Sequence, residues 1–441
     1  MDPSPLPSHL SKLLSLSPPQ STHPPSTLTG PLTSHTGLAY LFLAVSADHP
    51  RLQVHSYPAI HWARAYISNI PTPSAPIVPS STPPNETNHA AKDHPVLGLL
   101  SDALASPAVR ACITRDLAHV RFFLSLLAPV VEYILSLQTT NTTSSAMDLD
   151  AQPSPPQPLP TCLLHGLAGT LYLLRLIRHW VPSSAPLVSR AIVHVSEYLL
   201  SPSTTWTCPS HSPSHHAPPS PLSERLSPTD RHGAAHGDLG TITQIILTSP
   251  PLAPALTPRL SALLDLQLPS GDWPSSQPQT APAGPTPTEH HDHSSEPPAK
   301  TSAGGIGFAS GPQGLIISLI SLRPFFPALQ DRIDATISAA RDFLWAQAQE
   351  PGPAREPNLF HGALGTALTF PKGPQRAHLL SLASASPPER QPSPSATAAA
   401  STAPAAAPTP GSLMTAPAPG SAWAHSVCER EMPRMIFYND V

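Results

Sequence analysis

An all-α fold of repeated helical hairpins is what this sequence predicts, on three observations. The first is a recurring turn: His-Gly-x-x-Gly followed by apolar residues occurs at His165 (HGLAGTLYLL), His236 (HGDLGTITQIIL) and His361 (HGALGTALTF). With 21 glycines and 23 histidines in 441 residues, chance supplies about 0.05 such copies, so three spaced copies mark an internal repeat. The second is that nearly every remaining apolar block follows one of these segments after a short turn, as the returning helix of a hairpin. The third is the material in between. With 63 prolines, 11% charged and 40% hydrophobic residues, the chain reads as a globular framework interrupted by Pro/Ser/Ala/Thr tracts. Hairpins repeated in this way bury their apolar faces on their neighbours, and the row either spirals or closes into a ring.

In chain order, residues 1–27 read as a flexible N-terminus. In LTGPLTSHTGLAYLFLAVSA, residues 28–47, Ser34 or Thr36 can cap a short helix on which Leu38, Leu41, Phe42 and Val45 share one face. Residues 51–70 supply its partner, and a proline-rich linker follows at 72–89. Residues 109–137 predict two helices divided near Pro129, because proline lacks the donor and clashes with the preceding turn. The tract 138–160 cannot bury enough apolar surface to offset chain entropy and is expected to be a disordered insert. The same holds for 201–230, 277–303 and 384–410.

The His165 segment pairs with APLVSRAIVHVSEYLL about a Val181-Pro182-Ser183 turn. The His236 segment pairs with PALTPRLSALLDLQL, which ends in the tight turn LPSGDWPSS at 268–276. IGFASGPQGLIISLISL pairs with FFPALQDRIDATISAARDFLWAQ, and the His361 segment with RAHLLSLAS. A worn last copy closes the chain. Motif glycines at Gly37, Gly166, Gly237, Gly311 and Gly362, with degenerate members near Arg115 and Pro417, give about seven units. Glycine at the head of an inner helix lets the backbone bend tightly and lets helices approach closely.

GAAHG at 233–237, GDWPSS at 271–276, FASGPQG at 308–314 and LFHGALG at 359–365 together resemble the eukaryotic LanC-like family, relatives of bacterial lanthionine cyclases. The likeness covers residues 28–441 apart from the four inserts. It implies an α/α toroid of seven helical hairpins whose inner turns gather at one end around a central site. It also implies zinc held by two cysteines and a histidine, glutathione binding, and addition of thiols to dehydroamino acids. Zinc favours thiolate and imidazole ligands, and an open fourth position lowers the pKa of a bound thiol so that it attacks as thiolate. A nearby acid or histidine then protonates the carbanion formed.

Residue by residue, the chain departs from that pattern. The first family cysteine falls on Ala309 and its neighbouring histidine on Ser310; the second cysteine falls on Phe360, leaving His361 as the only retained ligand. Cys112, Cys162, Cys208 and Cys428 match neither ligand position and show no CxxC spacing. Zinc stays a candidate cofactor but is expected to have been lost, since one imidazole does not hold it tightly. His236 matches a histidine that in the family faces the site as acid or base; its other reading is a residue that pins the turn. Asp116 matches an aspartate of the second inner turn, or else is a solvated helix-start acid. Arg355 stands where a basic residue meets a glutathione carboxylate, or else is a surface arginine. His165 reads as a turn residue, Trp180 and Trp273 as packing, and the cluster EHHDH at 289–293 as metal-capable side chains within an insert.

The expected function is therefore a glutathione- or peptide-binding scaffold with zinc-dependent thiol addition lost or reduced. One alternative is an enzyme of the same fold that still adds thiols, whether forming lanthionine or transferring glutathione, through His236 and His361. The other is a glycosidase-like toroid, which needs two carboxylates from Asp116, Asp238 and Asp272. A net charge of −4 provides no field for nucleic acid or an anionic membrane. The N-terminal residues lack a secretory pattern, and no long apolar run predicts a transmembrane segment. A cytoplasmic location is expected, with peripheral membrane association left open.

Overall fold

The computed structural model describes residues 5–24, 27–72, 97–143, 158–202, 204–206, 208, 232–273, 307–350, 355–384, 411–432 and 434–441. These are mostly helical, as expected, with strand confined to a short antiparallel ladder of β1 (Gln53–Val54) and β2 (Tyr57–Pro58). The helices are α1 Leu6–Leu16, α2 His35–Asp48, α3 Ala59–Ser68, α4 Asp102–Thr114, α5 Leu117–Thr143, α6 Leu167–Trp180 and α7 Ala185–Leu200. After these come α8 Asp238–Thr248, α9 Ala253–Leu264, α10 Pro312–Leu322, α11 Gln330–Gln349, α12 Ala363–Ala367, α13 Pro374–Ser384 and α14 Pro417–Val427.

Two kinds of helix alternate. The even-numbered ones are apolar around most of their circumference and are buried accordingly: every residue of α10 from Pro312 to Ile320 is inside. The odd-numbered ones carry a single apolar stripe, as in α7, which buries Val188, Ala191, Ile192, Val195 and Leu199 and exposes the opposite face. Each even-numbered helix packs on its successor from α2 through α10, α12 packs on α14, and α14 packs on α2. Between α10 and α12 the link is Gln313, whose Nε2 donates to Gly362 O at 3.2 Å and Thr366 Oγ1 at 2.7 Å. Each odd-numbered helix from α3 to α13 packs on the even-numbered helix before it, whereas α1 packs on α14.

The turns that start the even-numbered helices are joined by backbone hydrogen bonds. Leu100 N donates to Leu164 O (2.9 Å), Leu164 N to Ala235 O (3.4 Å), Ala235 N to Ala309 O (3.1 Å) and Phe308 N to Phe360 O (2.6 Å). Leu359 N donates to Met414 O (3.0 Å) and Leu413 N to Leu32 O (3.0 Å). The buried carboxylate of Asp102 spans the remaining gap, accepting from Gly30 N at 3.1 Å and Ser34 Oγ at 3.2 Å. Gly240 shows why the second motif glycine is required. A Cβ there would stand 1.8 Å from Ala234 O, so no side chain fits beneath the turn.

Several expectations need correction. Ser34 does cap α2, accepting from Thr36 N, but Gly37 is three residues out of register. It stands where Gly240 stands, its own missing Cβ facing Pro31 O, and Ser34 takes the place of Gly237 as N-cap. The division between α4 and α5 lies at Arg115, not Pro129. Arg115 adopts the left-handed conformation (φ 55°) and ends α4 by donating to Ala111 O, while α5 continues through Pro129. The lost hydrogen bond there is offset by burial of Leu126, Leu127, Val130 and Ile134.

Residues 6–16, expected to be flexible, are α1, because Leu6, Leu10, Leu13 and Leu14 form a buried stripe. Within the insert expected at 201–230, Trp206 is buried and Cys208 half-buried. Most of the remaining inserts and the linker lie outside the described residues. Among the described residues one helix, α5, is long and apolar enough by composition to cross a membrane over Leu117–Gln138, with 33% of its apolar window buried. It packs on α4 and α7.

The segment 434–441 runs among the inner helices. Tyr40 Oη of α2 and Tyr172 Oη of α6 donate to the Asp440 carboxylate at 2.7 and 2.9 Å. Tyr438 O accepts from Arg175 of α6 at 2.7 Å and from Gln244 of α8 at 3.1 Å, and Tyr438 Oη bonds Ser318 of α10. Burial pushes the Asp440 carboxyl up, against the pull of the two tyrosine hydrogen bonds.

Candidate metal centre

Among the described residues, the only group of three or more His, Cys, Asp or Glu side chains able to share an ion is Cys162, Cys208 and His236, whose ligand atoms all lie within 4.8 Å of one another. Cys162 belongs to the turn before α6 and His236 to the turn before α8; the bond between Leu164 and Ala235 holds these turns side by side. Cys208 comes from the far side of the α6–α7 hairpin. Because α7 returns antiparallel to α6, the chain after Leu200 arrives back at the end where Cys162 sits. Trp206 fixes that arrival: it is buried, and its Nε1 donates to Leu199 O at 2.7 Å.

Cys208 Sγ lies 2.9 Å from Cys162 Sγ and 3.1 Å from His236 Nδ1. A tetrahedral zinc with Zn–S about 2.3 Å and Zn–N about 2.0–2.1 Å has ligand–ligand edges of roughly 3.5–3.8 Å, so the group fits a metal ion after sub-ångström adjustment of the Cys208 contacts. Two sulfurs and one nitrogen leave a tetrahedral ion with one position open. Cys162 is buried, whereas Cys208 and His236 are partly exposed, so that position is approached from the Cys208–His236 side. His236 Nε2 is buried and has no hydrogen-bond partner among the described residues. The His165 ring stands 5.8 Å from the His236 ring.

The electrostatics are those of a thiol pair sharing one proton. Burial raises the Cys162 thiol, but hydrogen bonds from Cys208 and His236, the His236 charge and the His165 N–H at 3.4 Å outweigh it and hold it well below the usual thiol range. Cys208 is pushed up by its bond to Cys162 and by burial. Cys112 is pushed up by complete burial within α4, and Cys428 by burial and by Glu429.

No family model matches the chain, and no curated protein matches it.

The residues singled out in the sequence separate in space. His236 is in the cluster, at an atom suited to ligation. His361 is two turns further along: its Nε2 lies 3.1 Å from Glu356 Oε2, and among the described residues it belongs to no group of three metal-capable side chains. Ala309 is a buried turn residue whose carbonyl receives Ala235 N, and Phe360 is part of the apolar packing. Asp116 lies beyond the C-terminus of α4, roughly 20 Å from the turns by the length of that helix. There it starts α5, its exposed carboxylate accepting from Ala118 N at 2.8 Å; Asp102 is the acid of that repeat's inner turn. Arg355 donates to Ala348 O and Gln349 O and so caps α11. Asp238 pairs with Arg259 at 3.5 Å and Asp272 accepts from Trp273 N at 2.7 Å, and Asp116, at the far end of α4, does not join them. The cluster at 289–293 lies outside the described residues.

Sequence reasoning missed the two cysteines because they are 46 residues apart and no local spacing joins them. A signal was available: Cys162 and Cys208 flank a hairpin of two helices of nearly equal length, 14 and 16 residues, which must bring its two ends together.

Proposed function

We propose that this chain is a divergent LanC-like α/α toroid of seven hairpins whose zinc site has moved from the turns of α10 and α12 to those of α6 and α8. The observation that carries the reading is the convergence of Cys162, Cys208 and His236 at the end where the inner turns meet. The same reading closes the ring through α14 packing on α2 and through α1 as the outer partner of α14.

In this proposal Cys162 Sγ, Cys208 Sγ and His236 Nδ1 hold the ion. Zinc bound there supplies Lewis acidity, lowering the pKa of a thiol at the fourth position toward neutrality. The chain's own residues do the rest. Ligation occupies His236, which moves it from acid–base work to metal binding. His165, half-buried beside it, then becomes the imidazole placed to return a proton to the carbon next to the new C–S bond. Its backbone N–H also donates to the Cys162 sulfur at 3.4 Å. The segment 434–441 fills the space between the inner helices, so the thiol and its acceptor enter from the turn end. The substrates are a thiol of the glutathione or cysteinyl-peptide class and a dehydroamino acid.

Metal analysis of the purified full chain tests this. About one zinc per chain is expected, retained in His361→Ala and lost in Cys162→Ser, Cys208→Ser and His236→Ala. Thiol addition to a dehydroalanine peptide is expected to follow the same pattern. Zinc that depends on His361, or a reduced chain that takes up none, would rule the reading out.

A further inference from the structure

Metal binding is not the only chemistry open to the two sulfurs. At 2.9 Å they stand between the S–S bond of a disulfide, about 2.05 Å, and the S···S edge of a tetrahedral zinc thiolate, about 3.8 Å. Each state is about 0.9 Å away. Both cysteines are free thiols. The two sulfurs are held unequally. Cys162 sits in a turn tied to its neighbours on both sides by Leu164 N–Ala235 O and Leu100 N–Leu164 O. Cys208 follows Trp206, which is anchored through Leu199 O and by the Arg259 guanidinium 3.5 Å above its ring. Movement toward either state therefore falls on the Cys208 segment.

Resting on the zinc reading only for its metal consequence, we infer that Cys162 and Cys208 are also a reversible dithiol–disulfide couple, whose oxidation by a peroxide dismantles the metal-binding group. Cys162, as thiolate, attacks one peroxide oxygen. An S–O bond forms, the O–O bond breaks, and hydroxide leaves. Cys208, as thiol, then attacks the Cys162 sulfur. The S–S bond forms, the S–O bond breaks, and the hydroxyl departs as water with the Cys208 proton. One thiolate, one thiol and one hydrogen peroxide give one disulfide, one hydroxide and one water, with two electrons passing from sulfur to oxygen. His236 alone then remains, and a single imidazole releases the ion. Reduction by a dithiol reverses both changes.

The couple is internal to the site. Cys112 is wholly buried in α4, and Cys428 makes its contacts with His425 O and Glu429 at the end of α14. Neither is in contact with another sulfur among the described residues, so both serve as references.

The experiment uses the full chain, reduced and loaded with zinc, titrated with hydrogen peroxide. Zinc release is followed with a chromogenic chelator, and thiols are mapped by alkylation and peptide mass spectrometry. One equivalent of peroxide is expected to produce one Cys162–Cys208 linked peptide and to free one zinc per chain, with both effects undone by dithiothreitol and added zinc. Cys112→Ser and Cys428→Ser should leave both readouts unchanged. In Cys208→Ser, checked for native circular dichroism, Cys162 should proceed to sulfinic acid.

Persistence of two alkylatable thiols after excess peroxide would overturn the inference. So would linkage through Cys112 or Cys428, or a link that resists dithiothreitol. The two proposals fail separately. A chain that binds no zinc but forms the reversible link defeats only the zinc reading, and one that holds zinc without ever forming the link defeats only the couple.

Discussion

Arg259 ties together the two arms of the cysteine–histidine group. Its guanidinium stacks on Trp206, two residues before Cys208, and its Nε lies 3.5 Å from Asp238 Oδ2, two residues after His236. The side chain is 41% exposed, so its ion pair adds little to global stability; its effect is to hold two ligand-bearing segments in register. Arg259→Gln is expected to weaken zinc binding about 10- to 100-fold, the range for groups that orient metal ligands, with the melting temperature nearly unchanged. Competition against a chelator of known affinity measures the first and calorimetry the second. At this scale the sequence was partly legible. The close approach that demands Gly240 follows from the His-Gly-x-x-Gly spacing alone, since it is a contact within one turn. Cys208 was legible only through the near-equal lengths of α6 and α7, because its place depends on where a whole hairpin returns.

At the scale of the element, α1 is the least expected part of the fold, and its seam responds to pH. Its seam contains imidazoles in two places. His9 stacks on His425 of α14 with ring centroids 4.6 Å apart, and Ser17 Oγ, just beyond α1, lies 3.1 Å from His35 Nε2 of α2. Burial, reinforced by His23 and His9 respectively, brings His35 and His425 down to about 4. An unfolded histidine takes its proton near pH 6.5. The unfolded chain therefore binds protons before the folded one does, and these two groups leave stability intact above that pH and erode it as the pH falls toward 4. Amide exchange in residues 6–16, corrected for intrinsic rate, is expected to accelerate between pH 7 and pH 5 relative to α10. His35→Gln with His425→Gln should flatten that dependence, and equal acceleration in α10 would refute it. The stripe Leu6, Leu10, Leu13, Leu14 has plain helical spacing, yet its prolines and serines invite a reading as flexible chain. What orders it is the uncovered face of α14, far away in sequence. The α4–α5 boundary misled for a related reason: a proline inside a helix is tolerated where packing compensates, and the left-handed residue that ends α4 is an arginine, not a glycine.

For the whole molecule, the segment 434–441 links four inner helices through hydrogen bonds to Asp440, Tyr438 and Asn439. Asp440→Ala removes the acceptor of two buried tyrosine hydroxyls. At about 1–3 kcal/mol for each unsatisfied buried donor, the unfolding free energy should fall by roughly 2–6 kcal/mol in urea titration. A change under 1 kcal/mol would mean that this network is not a keystone of the fold. Helical class could be read from the sequence because apolar periodicity is local. The pairing of the chain's distant ends could not, since it joins α14 to both α1 and α2 and brings Asp440 beside Tyr40, 400 positions away.

That pairing of distant helices bears on the order in which the protein is made. The exposed seam is the liability. During synthesis α1 and α2 emerge long before α14, and until it arrives each presents an apolar face with nothing to cover it. Such a topology delays its most distant contacts to the final step, so the α14-facing surfaces of the first two helices stay uncovered through most of elongation.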